Sequence, residues 1–247
     1  FKLKLDKLYE MNANAKRAYD WLKNNKDRFT DTIYPPMITQ INVKQKDWAK
    51  YVENSIANHD LVAFMCKNPD DVKSLSRMVW DELRIRINIV LAPQQTPDDF
   101  PTDDIDQLKK YGFFIWVKDM FDAPEPIMAY LCKQYWLHRI PVGDCKVDDN
   151  LERISKIKLT RVYSKDQIHS MKRSRFNPEK VMTTSDQIPQ SRILDLIVDQ
   201  NELKRIHASI QQIDGELLSH KKELEKLDQT ENEMKQQIED LKQQKAK

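Results

Sequence analysis

The sequence predicts an α+β domain held between two long helices that pair with each other as an antiparallel coiled coil. All eleven prolines lie between Pro35 and Pro189, so both flanks can form uninterrupted helices. Both flanks also repeat apolar residues at the 3-4 spacing of coiled coils, whereas the middle changes its apolar period repeatedly. The predicted segments are an N-terminal helix over residues 1–30, a mixed domain over 31–192 and a C-terminal helix over 193–247.

The C-terminal flank carries the stronger coiled-coil pattern. Its seam positions are Leu196, Leu203, Ile210, Leu217, Leu224, Glu231 and Ile238, alternating with Asp199, Ile206, Ile213, His220, Leu227, Met234 and Leu241. Eleven of these fourteen residues are apolar, against five or six expected from an overall hydrophobic content of 40%. Seven such heptads predict a left-handed coiled coil. We interpret His220 and Glu231 as features that set register or local flexibility, not as metal ligands.

The N-terminal flank has a weaker version of the same pattern. Its seam is Phe1, Leu5, Leu8, Asn12, Ala15, Tyr19, Leu22, Lys26 and Phe29, with Asn12 as a buried polar residue that fixes register. The first helix would be about 40 Å long and the second about 80 Å. The far half of the second helix therefore needs a partner, either a segment upstream of Phe1 in a longer protein or another molecule. We favour the upstream segment.

The middle segment is predicted to alternate helices and strands. In chain order these are a helix capped by Asp47, a strand over His59–Cys66, a helix opened by Asn68 and Pro69, a strand over Arg84–Leu91, an exposed acidic loop over 93–106, a helix over Pro126–Tyr135, a strand over Arg139–Val142, a helix capped by Asp148 or Asp149, and strands near Leu159–Tyr163, Gln167–Met171 and Lys180–Thr184. This order indicates an α+β domain, and a division into two lobes near residues 93–113 fits it.

The sequence lacks the residue patterns of common catalytic and metal sites. Gly112, Gly143 and Gly215 stand alone, so there is no phosphate-binding loop. Cys66, Cys132 and Cys145 form no CxxC pair, and we expect ordinary buried or half-buried thiols in a reducing compartment. We therefore expect a non-catalytic segment with no cofactor, no metal and no membrane partner. A catalytic domain inserted in a coiled coil is the alternative, and stabilisation by a metal or nucleotide would favour it.

Charge is distributed unevenly along the middle segment. Residues 93–126 have eight acidic and three basic residues, whereas residues 151–192 have ten basic and four acidic ones. A basic cluster attracts phosphates and releases their counterions, which favours nucleic-acid binding. The predicted DNA contacts are Lys172, Arg173, Arg175, Lys180 and Arg192, with Phe176 available to stack on a base. The alternative is that these residues are solvated charges on strand edges.

A central run of the sequence resembles a known family. Tyr111–Phe114, Met120–Cys132 and Ile140–Gly143 are similar to the hinge of the structural-maintenance-of-chromosomes (SMC) family, and within it to the fifth subunit of eukaryotes. The resemblance covers essentially the whole chain. Most hinges of this family have several glycines in their last strands, but residues 176–185 have none here. This absence fits the glycine-poor fifth subunit.

The resemblance implies a two-lobed hinge at the tip of an antiparallel coiled coil. It also implies a heterodimer with the hinge of the sixth SMC subunit, binding of single-stranded DNA, and a role in recombination repair in the nucleus and on chromosomes. In the full protein the arms would end in an ATP-binding head, with a SUMO-ligase subunit on the arm.

We expect the dimer contacts on edge strands, because an unpaired backbone can add to a partner's sheet. The expected residues are Val142, Gly143, Phe176, Val181, Met182 and Thr184. A purely structural dimerisation module without nucleic-acid binding is the alternative.

Overall fold

The structure is a computed structural model that describes residues 2–174 and 180–195, together with short helical stretches between residues 209 and 235. The chain divides into two compact units, residues 1–197 and residues 198–247. The larger unit contains all the elements that concern the candidate site.

The N-terminal flank forms two helices, α1 (Lys2–Met11) and α2 (Ala13–Asn24), followed by a 3-10 turn over Lys26–Arg28. The break falls at Asn12, whose side-chain oxygen accepts a hydrogen bond from the backbone N–H of Ala15 at 3.1 Å. Asn12 thus caps α2 and does not occupy a continuous seam, so the prediction of one uninterrupted helix is wrong. The apolar faces of both helices belong to the main core of the domain, through Leu5, Leu8, Ala15, Ala18 and Leu22.

The remaining described elements alternate as the sequence predicts for an α+β domain. The strands are β1 (Ile33–Tyr34), β2 (Asn42–Val43), β3 (Phe64–Cys66), β4 (Ile89–Leu91), β5 (Phe113–Trp116), β6 (Phe121–Asp122), β7 (Pro141–Gly143), β8 (Arg161–Tyr163), β9 (Gln167–Arg173) and β10 (Val181–Gln187). The helices are α3 (Met37–Gln40), α4 (Ala49–Ser55), α5 (Asn58–Leu61), α6 (Pro69–Arg77), α7 (Glu125–Tyr135), α8 (Lys146–Asp149) and α9 (Leu151–Ser155).

These strands form three sheets that define two lobes. The first lobe contains a three-stranded sheet in the order β1-β3-β4, all from before Pro93. The second lobe contains a five-stranded sheet in the order β10-β9-β8-β7-β5, all from Phe113 onward. A two-stranded ladder of β2 and β6 joins the halves of the sequence, and one large apolar core extends from Leu5 to Leu194.

Several local predictions need correction. The strand predicted over Arg84–Leu91 is a ladder only over Ile89–Leu91, and the strand predicted over His59–Cys66 begins at Phe64 after the turn of α5. Asp47 lies inside a 3-10 turn over Lys46–Trp48 and caps nothing, while Asp148 lies within α8. Cys145 is exposed, whereas Cys66 and Cys132 are buried as expected. Asn68 caps α6 as predicted, accepting from the backbone N–H of Asp70 at 2.9 Å.

The smaller unit is described only in part. Its described residues are helical, and the seam residues among them are exposed: Ile210, Ile213, Leu217, His220, Leu224 and Met234. His220 lies 3.3 Å from the carboxylate of Glu223, in the same helical face. The other seam positions lie outside the described residues. The pairing of the two flanks stays a prediction.

Candidate interaction surface of the five-stranded sheet

The outer edge of the five-stranded sheet is formed by β10. This strand pairs with β9 along its whole length, from Val181 opposite Arg173 to Gln187 opposite Gln167. No described strand lies on its other side, so half of its backbone groups are open. Its side chains are largely exposed, and Met182 has 62% of its surface accessible. An apolar side chain on an open edge is a feature of strands that pair with another chain.

The two faces of the β9–β10 hairpin differ in their surroundings. One face carries Met171, which packs with Val147 of α8 and Ile154 of α9 in a small second core. The opposite face carries Lys172, which stands opposite Met182, and Ser170, which stands opposite Thr184 and Arg161. Lys172 is exposed and Arg161 is half-buried, so two cations lie on this open face beside the edge strand.

The predicted DNA contacts fall in two places. Lys172, Arg173 and the exposed Lys180 lie at the tip of the hairpin, whereas Arg175 and the neighbouring Phe176 lie outside the described residues. Arg192 follows the opposite end of the hairpin, where Gln187 pairs with Gln167. A seven-residue strand spans roughly 23 Å, so the structure does not bring Arg192 to the tip cluster.

Arg173 is exposed, but its guanidinium is held by the backbone of the same domain. It donates to the carbonyl of Ser155, the last residue of α9, at 3.0 Å and to that of Ile157 at 2.9 Å. These carbonyls have no further helical turn to donate to them, so the arginine satisfies the end of the helix. A phosphate ligand would have to share this side chain with its structural partners.

The residues predicted to form the dimer interface also lie in two different places, the edge strand β10 and the interior strand β7. Val181, Met182 and Thr184 lie on the open edge, as expected. Val142 and Gly143 lie on β7, which is fully buried between β5 and β8, so the expectation that they lie on an edge strand is wrong. Gly143 has an internal role, because a Cβ there would approach the carbonyl oxygen of Gly112 to 2.7 Å and also meet the Val147 side chain.

A buried histidine on β9 was not singled out by the sequence patterns. His169 is fully buried, with Nδ1 2.8 Å from the Ser185 hydroxyl on β10 and Nε2 2.8 Å from the Asp148 carboxylate on α8. The residue types are those of a hydrolytic triad, but serine meets Nδ1 and aspartate meets Nε2, the reverse of that arrangement. We assign this contact a structural role, because it ties the edge strand to the helix that covers the sheet.

A second unpredicted feature lies where the chain leaves the domain toward the C-terminal flank. The carboxylate of Glu53 on α4 accepts from the Ser191 hydroxyl at 2.5 Å and from the backbone N–H groups of Arg192, Ile193 and Leu194 at 3.0–3.2 Å. A carboxylate is the preferred acceptor for such a set of unpaired N–H groups. Glu53 therefore holds the backbone of residues 191–194 against α4.

The part of the chain that the structure describes offers neither a metal centre nor a membrane-spanning helix. It contains no group of three or more histidine, cysteine or acidic side chains that could hold a metal ion. No helix there is both long and apolar enough to cross a bilayer.

Comparisons with known proteins agree on one family, although no family model matches the chain. Structural maintenance of chromosomes protein 5 of Caenorhabditis elegans is 30% identical over 149 residues, covering 60% of this chain and 14% of that protein. The Arabidopsis thaliana protein of the same name is 24% identical over 214 residues, covering 84% of this chain and 20% of that protein. The chain thus spans about a fifth or less of the length of these relatives. The crystal structure of the Schizosaccharomyces pombe Smc5/6 hinge domain matches with a TM-score of 0.70 and 21% identity, covering 96% of this chain and 90% of that one.

The fold is that of an SMC hinge domain, with mixed helices and strands in two lobes. Within this class the sequence is similar to the fifth SMC protein of several species. The predicted resemblance to the hinge region of the fifth SMC subunit is therefore confirmed.

Proposed function

We propose that this chain is a non-catalytic hinge that pairs with the hinge of the sixth SMC subunit and binds DNA, with single strands preferred. The observation that carries the proposal is the open edge of β10, which lies beside the exposed cations of the hairpin. The edge supplies a surface for a partner's strand, and the cations supply a surface for phosphates.

Pairing is supported by strands at the sheet edges of both lobes that have a described neighbour on one side only. In the second lobe β10 offers Val181, Met182 and Thr184. In the first lobe β4 has a described neighbour on one side only, and Leu91 on it has 43% of its surface exposed. Pairing of β10 with a partner's strand would cover the longest of the described edge strands. The name of the matched S. pombe hinge structure, Smc5/6, supports a sixth-subunit hinge as the partner.

DNA binding is supported by the charge around the tip of the hairpin. Lys172 and Lys180 are exposed, and Arg161 lies on the same face as Lys172. None of these three forms a salt bridge with a described residue, so their charges are available to an anion. The interaction with phosphates is independent of sequence and depends strongly on salt.

The test is binding of a labelled single strand to the Lys172→Glu/Lys180→Glu double variant over a salt titration. We expect binding to weaken about tenfold or more at matched ionic strength. The slope of log K against log salt should fall by about 0.7 for each phosphate that the variant no longer neutralises. Lys165→Glu is the matched control, since this exposed lysine lies in the turn at the other end of the hairpin. Unchanged binding in the double variant would exclude the hairpin as the DNA-binding surface.

The purely structural module is the second candidate, and two observations favour it. Arg173 is occupied by helix carbonyls, and Arg192 is remote from the cluster, so fewer cations converge than the sequence suggests. If the wild-type chain binds neither single nor double strands at low salt, this candidate replaces the first.

The wider context is proposed from the family resemblance and the names of the relatives. It comprises a nuclear, chromosomal complex for recombination repair, ATP-binding heads at the far ends of the arms, and a SUMO-ligase subunit on the arm. No cofactor is proposed for the hinge itself. Co-purification of the full-length protein with its complex would test this context.

A further inference from the structure

A tryptophan is held at the surface of the first lobe where α6 ends. After Arg77 the helix continues as a π-helical turn over Met78–Glu82. Trp80 lies in this turn with 42% of its surface exposed, and its indole N–H donates to the carbonyl of Ile87 at 3.2 Å. The hydrogen bond fixes the ring against the segment that leads into β4. Such π-helical turns are frequent at functional sites.

One arginine lies beside this ring, and three more lie on or against the segment that carries it. The guanidinium of Arg86 lies 5.9 Å from the centre of the Trp80 ring, and Arg77 is one helical turn earlier. Arg17, from α2, donates to the carbonyl of Leu83 at 3.4 Å, and Arg84 is the next residue. All four are exposed, and none forms a salt bridge with a described residue. Only Asp81 and Glu82 oppose them within the turn.

Arg84 occupies a backbone position that favours glycine. Its φ is 52°, in the left-handed region, immediately after the residue that caps the helix. Glycine is the usual residue at such a position, because any Cβ is disfavoured there. Strained residues of this kind concentrate at ligand-binding sites. An arginine held in this conformation suggests that its side chain has a use that glycine would not supply.

We propose that Trp80, with Arg84 and Arg86, forms a binding site for single-stranded nucleic acid, separate from the β9–β10 hairpin. One base stacks on the exposed indole, and the arginines bind the flanking phosphates. A single strand is the ligand because a duplex keeps its base faces stacked inside. The inference rests on the proposed function of a DNA-binding hinge and adds a second binding area in the other lobe.

The same molecule provides a matched control for an exposed tryptophan. Trp136 has 55% of its surface exposed, lies in the left-handed region with φ 58°, and has Arg139 5.4 Å from its ring. It stacks on His138, which also contacts Phe100 in the loop with five aspartates between residues 98 and 106. The acidic surroundings disfavour a phosphate ligand there.

The experiment measures anisotropy of a labelled oligothymidylate with the 247-residue chain and its variants across a salt titration. Trp80→Leu should weaken binding by about tenfold, because one base no longer stacks on an aromatic ring, and should leave the salt slope unchanged. Trp80→Phe keeps an aromatic face and should retain most of the affinity. Arg86→Gln should reduce the salt slope by about 0.7. Trp136→Leu should bind like the wild type.

Arg84→Gly separates binding from folding. Glycine relieves the left-handed strain, so this variant should melt at the same or a higher temperature while its affinity and salt slope fall. If Trp80→Leu and Arg84→Gly bind like the wild type while Lys172→Glu/Lys180→Glu does not, this inference is wrong and the proposed function stands. If they bind DNA normally but lose affinity for the partner hinge, the surface binds protein and the inference is again wrong. If the wild-type chain binds no single-stranded DNA, both this inference and the proposed DNA-binding function are wrong.

Discussion

Asp60 is a buried carboxylate that connects several separate parts of the chain. It accepts hydrogen bonds from Asn88 at 2.6 Å, from the Tyr130 hydroxyl at 2.9 Å and from the Tyr135 hydroxyl at 2.6 Å. The imidazole Nε2 of the exposed His59 lies 3.5 Å from the same carboxylate. A buried charge of this kind is tolerated because its hydrogen-bonding capacity is satisfied. Asp60 therefore links the first lobe to α7.

Removing this acceptor should destabilise the fold. Asp60→Ala leaves three donors without their partner, and we expect the free energy of unfolding to fall by about 2–4 kcal/mol. Urea denaturation measures this change in the free energy of unfolding. Asp122→Ala is the control, because this exposed carboxylate only pairs with Lys44 at 3.4 Å and should change stability by less than about 0.5 kcal/mol. Equal effects of the two substitutions would contradict this account of Asp60.

Alkaline pH should destabilise the fold through buried thiols and phenols. Burial raises the pKa of Cys66 to about 12 and that of Cys132 to about 11. Burial, followed by the hydrogen bond and charge of Asp60, raises the pKa of Tyr130 and Tyr135 well above the usual value. The folded state thus keeps protons that the unfolded chain releases near pH ~8.5 for thiols and near pH ~10 for phenols. Stability is fully present below these values and decreases as the pH rises.

The measurement is the free energy of unfolding between pH 7 and pH 11. It should decline from about pH 8.5 and more steeply near pH ~10. Tyr130→Phe/Tyr135→Phe should start from a lower stability at pH 7, because two hydrogen bonds are removed, and should decline less above pH ~10. A profile that is flat to pH 11 would be inconsistent with protonated, buried thiols and phenols.

At the scale of single elements, the sequence predicts best where the pattern is local. The strands of the hairpin and the start of α6 at Asn68 and Pro69 depend on alternation and capping within a few residues, and the structure confirms them. The position of β7 between β5 and β8 depends on strand order, which no local pattern contains, so Val142 and Gly143 are wrongly expected on an edge. Asp148 resembles a helix cap in sequence, but its partner His169 is 21 residues away.

The residues of the candidate interaction surface were also predictable only in part. The density of basic residues locates Lys172 and Lys180, yet only the hairpin geometry shows that Arg192 lies at its other end. Arg173 looks free in the sequence because its partners are backbone carbonyls. The sequence gives no signal that Trp80 is exposed, since the π-helical turn that displaces it is not encoded by a simple period.

The backbone of residues 192–194 is held by one carboxylate of α4. Glu53→Gln replaces an acceptor oxygen by an NH₂ group that faces the N–H groups of residues 192–194. We expect amide hydrogen exchange in residues 191–195 to accelerate about tenfold or more, and the unfolding free energy to fall by about 1–2 kcal/mol. Glu152→Gln, an exposed position on α9, is the control and should change neither quantity. Unaltered exchange in Glu53→Gln would show that packing of Ile193 and Leu194 alone holds this segment.

At the scale of the whole molecule, the domain joins two lobes through one continuous apolar core and leaves strand edges open in both. The described sheets end in the short strands β1, β4 and β5 and in the longer strand β10. A long exposed edge is unfavourable in a protein that acts alone, so its presence here indicates a partner. The hinge fold and the exposed edge of β10 thus both lead us to expect a partner chain.

The most direct test is amide hydrogen exchange of the chain with and without the hinge of the sixth SMC subunit. If β10 adds to the partner's sheet, the outward amides among residues 181–187 should exchange at least about tenfold more slowly in the complex, and those of the interior strand β7 should not change. Met182→Asp should weaken the complex and reverse this protection. Protection that appears elsewhere while residues 181–187 exchange as in the free chain would contradict the proposed interface.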